Sequence, residues 1–499
     1  MGSRVSTVAF QGVDVLTIDV QVQITSGFVC IPIVGLPDKS LGEARERVRG
    51  ALQAIGLSIP GRRVIVNLSP ASVQKEGTHY DLPIVLGLLE MMGIIPKGRL
   101  EEYYVMGELG LDGTIKPVPG ILPAAMTALR FGKSLICPYD SAREATWVEG
   151  LDVIAAPDLL SLLNFLEGKQ VLTPPANTMI LEQKKTLDLK DVRGQIVPKR
   201  ALEIAAAGGH NMLMVGPPGT GKSMLAERLP TLLPPLNPQE ALEISMLYSL
   251  SGLLPDGRLL CERPFRAPHH SASLPALVGG GVRAKPGEIT LAHHGVLFLD
   301  ELPEFARNTL EALRQPLESR QVVVARANSH CTYPAHFQLV GAMNPCPCGY
   351  LGDKERACGR APLCAQKYMS KLSGPLLDRI DLSVEVGSLD FSSWRKETEG
   401  ESSAVVLDRV VQARTRQIER FVDKKGATNS LIPASVVEDV CGLTEEARAL
   451  LQRAADKWRL SLRGCHRIMR VARTIADLDG EDFVTLTHMQ EALSYRRKI

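Results

Sequence analysis

The stretches MetLeuMetValGlyProProGlyThrGlyLysSer (212–223) and ValLeuPheLeuAspGlu (296–301) decide how this chain folds. The first runs four apolar residues into Gly216, Pro217, Pro218, Gly219, Thr220, Gly221, Lys222 and Ser223. This is GxxxxGK[ST], in which a buried strand turns through a glycine-rich loop into a helix. Successive backbone N–H groups of such a loop, with the helix N-terminus behind them, converge on phosphate oxygens. Lys222 then brings charge to the β- and γ-phosphates and Ser223 holds Mg²⁺, so ATP with Mg²⁺ is the expected ligand. The second stretch needs a buried strand ending in two carboxylates, Asp300 to orient the magnesium shell and Glu301 to polarise an attacking water. Asn344 follows the strand-like GlnLeuValGlyAlaMet, where a side-chain amide can position that water; in isolation it reads as a turn former. Arg379, in SerGlyProLeuLeuAspArgIleAsp, reads either as a salt-bridge partner of its acidic neighbours or as an arginine finger entering a neighbouring subunit's ATP.

Outward from this site, apolar runs at 211–215, 296–299 and 338–342 alternate with helical stretches across residues 191–390, which predicts a parallel sheet in an α/β domain. Residues 1–168 mix β-patterned runs with helical ones such as Leu41 to Ile55, a second α/β domain. Paired prolines and the charged GluGlnLysLys run place a linker at 169–190. Residues 391–499 are predicted to form a helical lid, with clear amphipathic periodicity from about 403. A chain of 499 residues exceeds one hydrophobic core, and 45% apolar with 22% charged residues marks a globular protein. The apolar stretch Leu82 to Leu89 stops at Glu90, far short of the roughly 20 residues of a membrane helix. The opening residues alternate like a strand and carry Asp14, unlike a secretory signal, so a cytoplasmic protein with no membrane partner is expected. A net charge of +2 leaves nucleic acid open as a partner, because any basic surface has to be local.

Cys346, Cys348, Cys358 and Cys364 crowd into a loop punctuated by Pro347, Gly349, Gly352, Gly359 and Pro362. Such a loop cannot build its own core, and four thiolates around one structural Zn²⁺ supply the missing folding energy; an iron–sulfur cluster or free thiols are the alternatives. Arg463, Arg467 and Arg470 fall at i, i+4 and i+7 on one helical face, with Arg473 nearby. Either they are a solvated stripe or one of the three closes the lid on the γ-phosphate. The pairs His269-His270 and His293-His294 are read against a second metal site, since adjacent side chains point in different directions.

The chain resembles the ComM/YifB family of magnesium-chelatase-like AAA+ ATPases. The resemblance is carried by IleValGlyLeuProAsp (33–38), ValAsnLeuSerProAla (66–71), LysGluGlyThrHisTyrAspLeuPro (75–83), ArgProPheArgAlaProHisHis (263–270), the run from Lys285 to Glu301, AsnProCysProCysGly (344–349) and AlaArgThrIleAlaAspLeu (472–478). It implies a homo-hexameric ATPase that moves on single-stranded and branched DNA and drives branch migration in natural transformation. It also implies a sensor-1 role for Asn344, the finger role for Arg379, and the sensor-2 role on the lid for Arg463, with Arg470 as the fallback. The rival reading is a remodeller of a protein partner, as in magnesium chelatase. Two insertions then flank the ATP site: a glycine-rich loop carrying Arg283 and Lys285, and a hairpin carrying Arg326. Facing a ring's central channel, these cations track DNA phosphates; otherwise they are ordinary surface charges. The first domain is similar to the Lon protease domain, a ribosomal S5-like fold, through residues 75–83 and 107–120. The nucleophile position falls at about His79 and the lysine position at about Ala124, so no proteolysis is expected, and Asp81 reads as a helix cap.

Overall fold

The computed structural model describes residues 2–176, 187–280, 285–326, 329–349, 351, 362–387, 400–421 and 428–496. Its first sheet begins with the long strands β1 (Ser3–Gln11) and β2 (Asp14–Thr25), which pair antiparallel from Ser3↔Val22 to Gln11↔Asp14. Gly12, at φ +67°, turns the chain between them in a conformation that glycine adopts without strain. Strands β3 (Ile33–Val34), β4 (Arg63–Ser69), β5 (Tyr103–Val105), β8 (Ser134–Pro138) and β9 (Val153–Ala156) complete a seven-stranded sheet in the order β3-β4-β2-β1-β5-β8-β9. The short ribbon β6 (Glu108–Leu109) with β7 (Ile115–Lys116) stands apart from it. Side chains of β1 alternate between the two faces, so Val5 joins one core with Leu41, Val48, Leu82 and Leu86, while Val8 joins another with Ile121 and Ala125.

The second sheet holds β10 (Met212–Val215), β11 (Phe265–Arg266), β14 (Val296–Leu299), β17 (Gln338–Met343) and β18 (Leu382–Glu385), ordered β11-β14-β17-β10-β18. Every neighbouring pair in it is parallel. β14 is buried at all four positions and β17 at all six, as strands covered on both faces must be. The outermost strands, β11 and β18, escaped the sequence reading, because two residues and the mixed LeuSerValGlu are too short to carry a period. Between these strands run two small ribbons: β12 (Gly279–Gly280) with β13 (Lys285–Pro286), and β15 (Gln321–Arg326) with β16 (Ser329–Pro334). The second is the expected hairpin, closing on Arg326↔Ser329.

From Ser403 the chain is helical, chiefly Ser403–Arg420, Glu445–Trp458, Leu462–Asp479 and Leu486–Ser494. These helices share one core with a face of the second sheet: Val406, Val410, Ile468 and Ile475 pack in the same cluster as Met212, Val340 and Leu382. Each such side chain, removed from water, contributes about 1.5–3 kcal/mol, so the helical region is fastened to the sheet. The first sheet's layer meets the second through the helix Pro238–Ser251 and through the β1–β2 turn, where a Cβ on Gly12 would lie 3.2 Å from the Thr332 carbonyl oxygen. Ser249 accepts the Gly120 N–H at its carbonyl (2.9 Å) and donates its hydroxyl to Glu144 (2.5 Å), whose carboxyl burial pushes up. Trp147 Nε1 donates to the Gly257 carbonyl at 3.0 Å.

Asp81 corrects the sequence reading. It is the first residue of the helix Asp81–Met91 and caps nothing. Its carboxylate is wholly buried and takes the fork of Arg47, Nε to Oδ2 at 2.5 Å and the terminal nitrogen to Oδ1 at 3.0 Å. Burial pushes the Asp81 carboxyl up to about 6, against the pull of Arg47 and the Leu109 N–H.

Candidate nucleotide-binding site

Parallel pairing in register aligns the strand ends. Val215 lies opposite Met343, and Leu299 opposite Gly341, so the segments leaving β10, β14 and β17 emerge at the same edge. The loop at residues 216–221 then enters the helix Lys222–Arg228 through Gly221 at φ +88°. Gly216 is required sterically, since a Cβ there would lie 2.1 Å from the Val386 carbonyl oxygen. Lys222 Nζ donates to the carbonyls of Gly216 and Pro217, both at 2.7 Å, and to Asn344 Oδ1 at 3.2 Å. Burial pushes its ammonium below the ordinary lysine value, with Asp300 opposing. Ser223 Oγ donates to Asp300 Oδ2 at 3.0 Å. The candidate phosphate lysine, the two candidate magnesium ligands and the candidate water-positioning Asn344 therefore form one connected cluster. The donor set fits a magnesium nucleotide: one ammonium, one hydroxyl, one carboxylate and a loop with open space at Gly219 and Gly221.

Glu301 follows Asp300 with φ +49°, its side chain half exposed and 3.1 Å from His270 Nδ1. His270 is a residue the sequence reading missed in this role; it lies just past β11, the strand beside β14, and no periodicity signals that pairing. Gln195 was missed too. It enters the helix Ile196–Gly208 in the left-handed region (φ +54°) and donates Nε2 to the carbonyls of Gly387 (2.8 Å) and Thr220 (3.4 Å). Beside it the apolar side chains of Ile196 and Val197 stay 80% and 56% exposed next to the loop, an apolar surface suited to a base.

Arg379 lies at the other end of the sheet. It precedes β18, whose first residue Leu382 pairs with Met212, the first residue of β10, so the length of the strand separates it from the loop at residue 216. It is tied to Glu318 at 2.8 Å and to the carbonyls of Arg314 and Pro375. Arg463, the expected lid arginine, stands at the same end of the sheet. It meets the same Glu318 oxygen at 2.8 Å. Arg467 reaches the Ile380 carbonyl, and Arg470 the Ile432 carbonyl. The shared core fixes the helix Leu462–Asp479 against this edge, so none of the three arginines faces the loop in its own chain.

Cys346 is buried and its Sγ lies 3.1 Å from that of Cys348. The CysProCysGly turn packs on the phosphate loop, since a Cβ on Gly349 would come 2.7 Å from Pro218 Cδ. Cys358 lies outside the described residues, and Cys364 stands in the helix Leu363–Met369. Arg283 also lies outside them, as does the Arg326 side chain; Lys285 is exposed on β13. His293 and His294 depart from the expected divergence. Positive φ at His294 (+55°) turns both rings to one side, 3.9 Å apart and facing Glu243. His293 Nδ1 accepts the His336 N–H at 3.0 Å, which leaves its proton on Nε2, so the network reads as a hydrogen-bonded anchor ahead of β14.

A parallel sheet with a phosphate loop, an acidic strand end and a shared edge defines the P-loop nucleotide-binding class. Family comparison narrows this. Residues 188–393 match the family described as magnesium chelatase, subunit ChlI; residues 20–141 match subunit ChlI of Mg-chelatase; and residues 400–496 match the C-terminal part of ChlI. The chain is 44% identical to the uncharacterized protein YifB of Escherichia coli K12, covering 99% of this chain and 97% of that one. It is also 44% identical to the competence protein ComM of Haemophilus influenzae, over 98% and 96%. The magnesium-chelatase 38 kDa subunit of Acidiphilium rubrum is 27% identical, over 60% and 86%. The chain belongs to the ComM/YifB family of magnesium-chelatase-like AAA+ proteins. That family implies ATP and Mg²⁺, which the donor set above accommodates. No described helix is long and apolar enough to cross a membrane.

Proposed function

We propose that this chain is a magnesium-dependent ATPase that works as a cytoplasmic homo-hexameric ring and moves along branched and single-stranded DNA, driving branch migration of recombination intermediates in natural transformation. The observation that carries it is the split of the reacting groups between two edges of one sheet. Lys222, Ser223, Asp300, Glu301 and Asn344 gather at one edge and Arg379 with Arg463 at the other, so a single chain holds half of each of two sites. A ring of identical chains brings the halves together. Lys222 leaves the loop carbonyls for the β- and γ-phosphates, and Ser223 and Asp300 hold Mg²⁺, which neutralises phosphate charge. Glu301 takes the proton of the attacking water that Asn344 orients, and Ile196 and Val197 cover the base. Arg379 and Arg463 act on the neighbour's γ-phosphate after releasing Glu318. The DNA reading is supported by the full-length likeness to the competence protein ComM and by two adjacent ribbons, Gly280 lying against Val324, which bring β13 with Lys285 beside the hairpin β15–β16.

Two further assignments belong to this reading. Zinc on Cys346, Cys348, Cys358 and Cys364 holds the turn that packs on Pro218. The first domain is a Lon-like, ribosomal S5-like fold kept for ring assembly or for gripping substrate. His79, at the nucleophile position, is buried with Nε2 against the Val8 carbonyl at 2.9 Å and titrates down at about 4, and Ala124 offers no amine. The rival reading, a remodeller of a protein partner, is favoured by the likeness to the magnesium-chelatase subunits. ATPase rate with and without forked DNA separates them: the translocase accelerates on DNA, and a rate indifferent to every DNA tried assigns the remodeller.

A further inference from the structure

Arg320 is a partly buried cation that meets no anion among the described residues. It follows the helix Arg314–Ser319 at φ +57°, where its N–H donates to the Pro316 carbonyl (2.9 Å) and its own carbonyl accepts the Ala335 N–H (2.8 Å). The second bond closes the base of the hairpin, next to Gln321↔Pro334. Its backbone is thus pinned at the root of β15, while its guanidinium faces a cavity of about 400 Å³. No described carboxylate or other acceptor engages that guanidinium, and burial alone pushes it down to about 10, far from the usual arginine value. The same cavity is lined by Arg379, Arg463, Arg467 and Arg470, and Arg470 Nε is buried without a partner. The carboxylates there are already engaged: Glu318 by Arg379 and Arg463, Asp381 by the Asn211 N–H with His210 and Arg467 beside it, and Asp378 by Arg496. Taking a guanidinium out of water without an anion costs stability, so a cation surplus held in this way is built to meet an anion from outside the chain.

We propose that Arg320 is a further phosphate-contacting residue, acting on the nucleotide bound by the adjacent subunit, and that its place at the root of β15 links that nucleotide to this chain's own hairpin. The inference rests on the ring reading, which presents this cavity to the neighbour's ATP. A guanidinium fork matches phosphate oxygens, and the cavity admits more than the two oxygens of a side-chain carboxylate. Arg379 and Arg463 report the neighbour's nucleotide to the sheet edge and the helical region, whereas Arg320 reports it to the ribbon.

The test uses the full-length chain carrying Arg320→Met, which keeps the apolar stem and removes the charge. A residue with a merely structural role loses stability in this variant. An unpaired cation kept for an external anion gains stability, so the Tm of the nucleotide-free protein is expected to rise. Hydrolysis is expected to fall about tenfold or more, while a fluorescent ATP analogue binds within about twofold of the parent below the assembly concentration. Mixing Arg320→Met with Lys222→Ala chains is expected to restore hydrolysis above either alone, because mixed interfaces join an intact loop to an intact Arg320. A lowered Tm with parent-like hydrolysis per folded chain overturns the proposal. Assembly lost equally with and without ATP overturns it too, by assigning the cavity to a neighbour's acidic side chain. An Arg379→Ala mixture with Lys222→Ala is the control. Recovery there without recovery for Arg320→Met defeats Arg320 and leaves the ring reading standing, and recovery in neither defeats both.

Discussion

Lys222 is held by two carbonyls of its own loop and by Asn344, so ATP has to exchange those bonds for phosphate contacts. Lys222→Ala removes the only charge the loop brings to the phosphates, and ATP affinity is expected to fall at least about tenfold. Glu301 stands outside that cluster, at His270. Glu301→Gln is therefore expected to bind ATP normally and to lose hydrolysis by about a hundredfold or more. Titration calorimetry and single-turnover hydrolysis separate the two, and equal loss of affinity in both variants contradicts the assignment. Asp81 and Arg47 make a different prediction. The native Asp81 carboxyl titrates near 6 and an unfolded one at 3.8, so the folded state holds this proton more tightly and gains stability as pH falls from about 6 toward 4. Arg47→Met leaves an unpaired buried carboxylate, expected to cost about 3 kcal/mol near pH 7.5 and clearly less near pH 5, where Asp81 is protonated. Urea unfolding at both values checks this, and a loss that does not change with pH refutes the pairing as its cause.

At the scale of elements, the hairpin β15–β16 is rooted at Arg320 and Ala335 and leads straight into β17, which ends beside Asn344. A change felt at the γ-phosphate therefore has one strand to cross before it reaches the ribbon. If Arg326 contacts phosphates, Arg326→Ala weakens DNA binding alike on all sequences and lowers the salt slope by about one counterion per engaged chain, with basal ATPase retained. Branch migration per ATP at one fixed salt concentration is the decisive measurement; unchanged coupling moves the DNA path to Arg283 and Lys285. The cysteine turn is the other element with its own test. Freshly purified protein is expected to hold about one zinc per chain, and Cys358→Ser to lose it together with the turn on Pro218 and part of the ATP affinity. Elemental analysis finding no metal in unchelated parent protein ends the zinc assignment.

For the whole molecule, the second sheet and the helical region share one core, and the first sheet's layer attaches through Ser249, Trp147 and the β1–β2 turn, whose Gly12 and Val13 lie against β16 and its core. The ring reading predicts complementation. Arg379→Ala keeps its own loop and Glu301→Gln keeps its own finger, so neither alone turns over ATP, and an equimolar mixture regains a measurable fraction of parental hydrolysis. A mixture as inactive as its components places the finger in the same chain, against its position at the far edge of the sheet.

The sequence by itself determined the order strand, phosphate loop, helix and acidic strand end, because local periodicity and glycine spacing specify them, and it brought Lys222, Ser223 and Asp300 together through that order. The hairpin was legible for the same reason, two β-runs a turn apart. Which edge each arginine serves was not. The spacing of Arg463, Arg467 and Arg470 fixes a helix face, but what that face meets depends on the core joining residues over 200 positions apart, such as Leu202 and Val406 with Ile468. Likewise Asp81 heads a helix as its position suggested, yet its partner Arg47 lies on another helix and only packing decides that it is paired rather than capping. His270 at Glu301, the turned pair His293-His294 and the unpaired Arg320 belong to the same class: each is a contact between segments distant in the chain, decided by the tertiary structure because no local pattern encodes it.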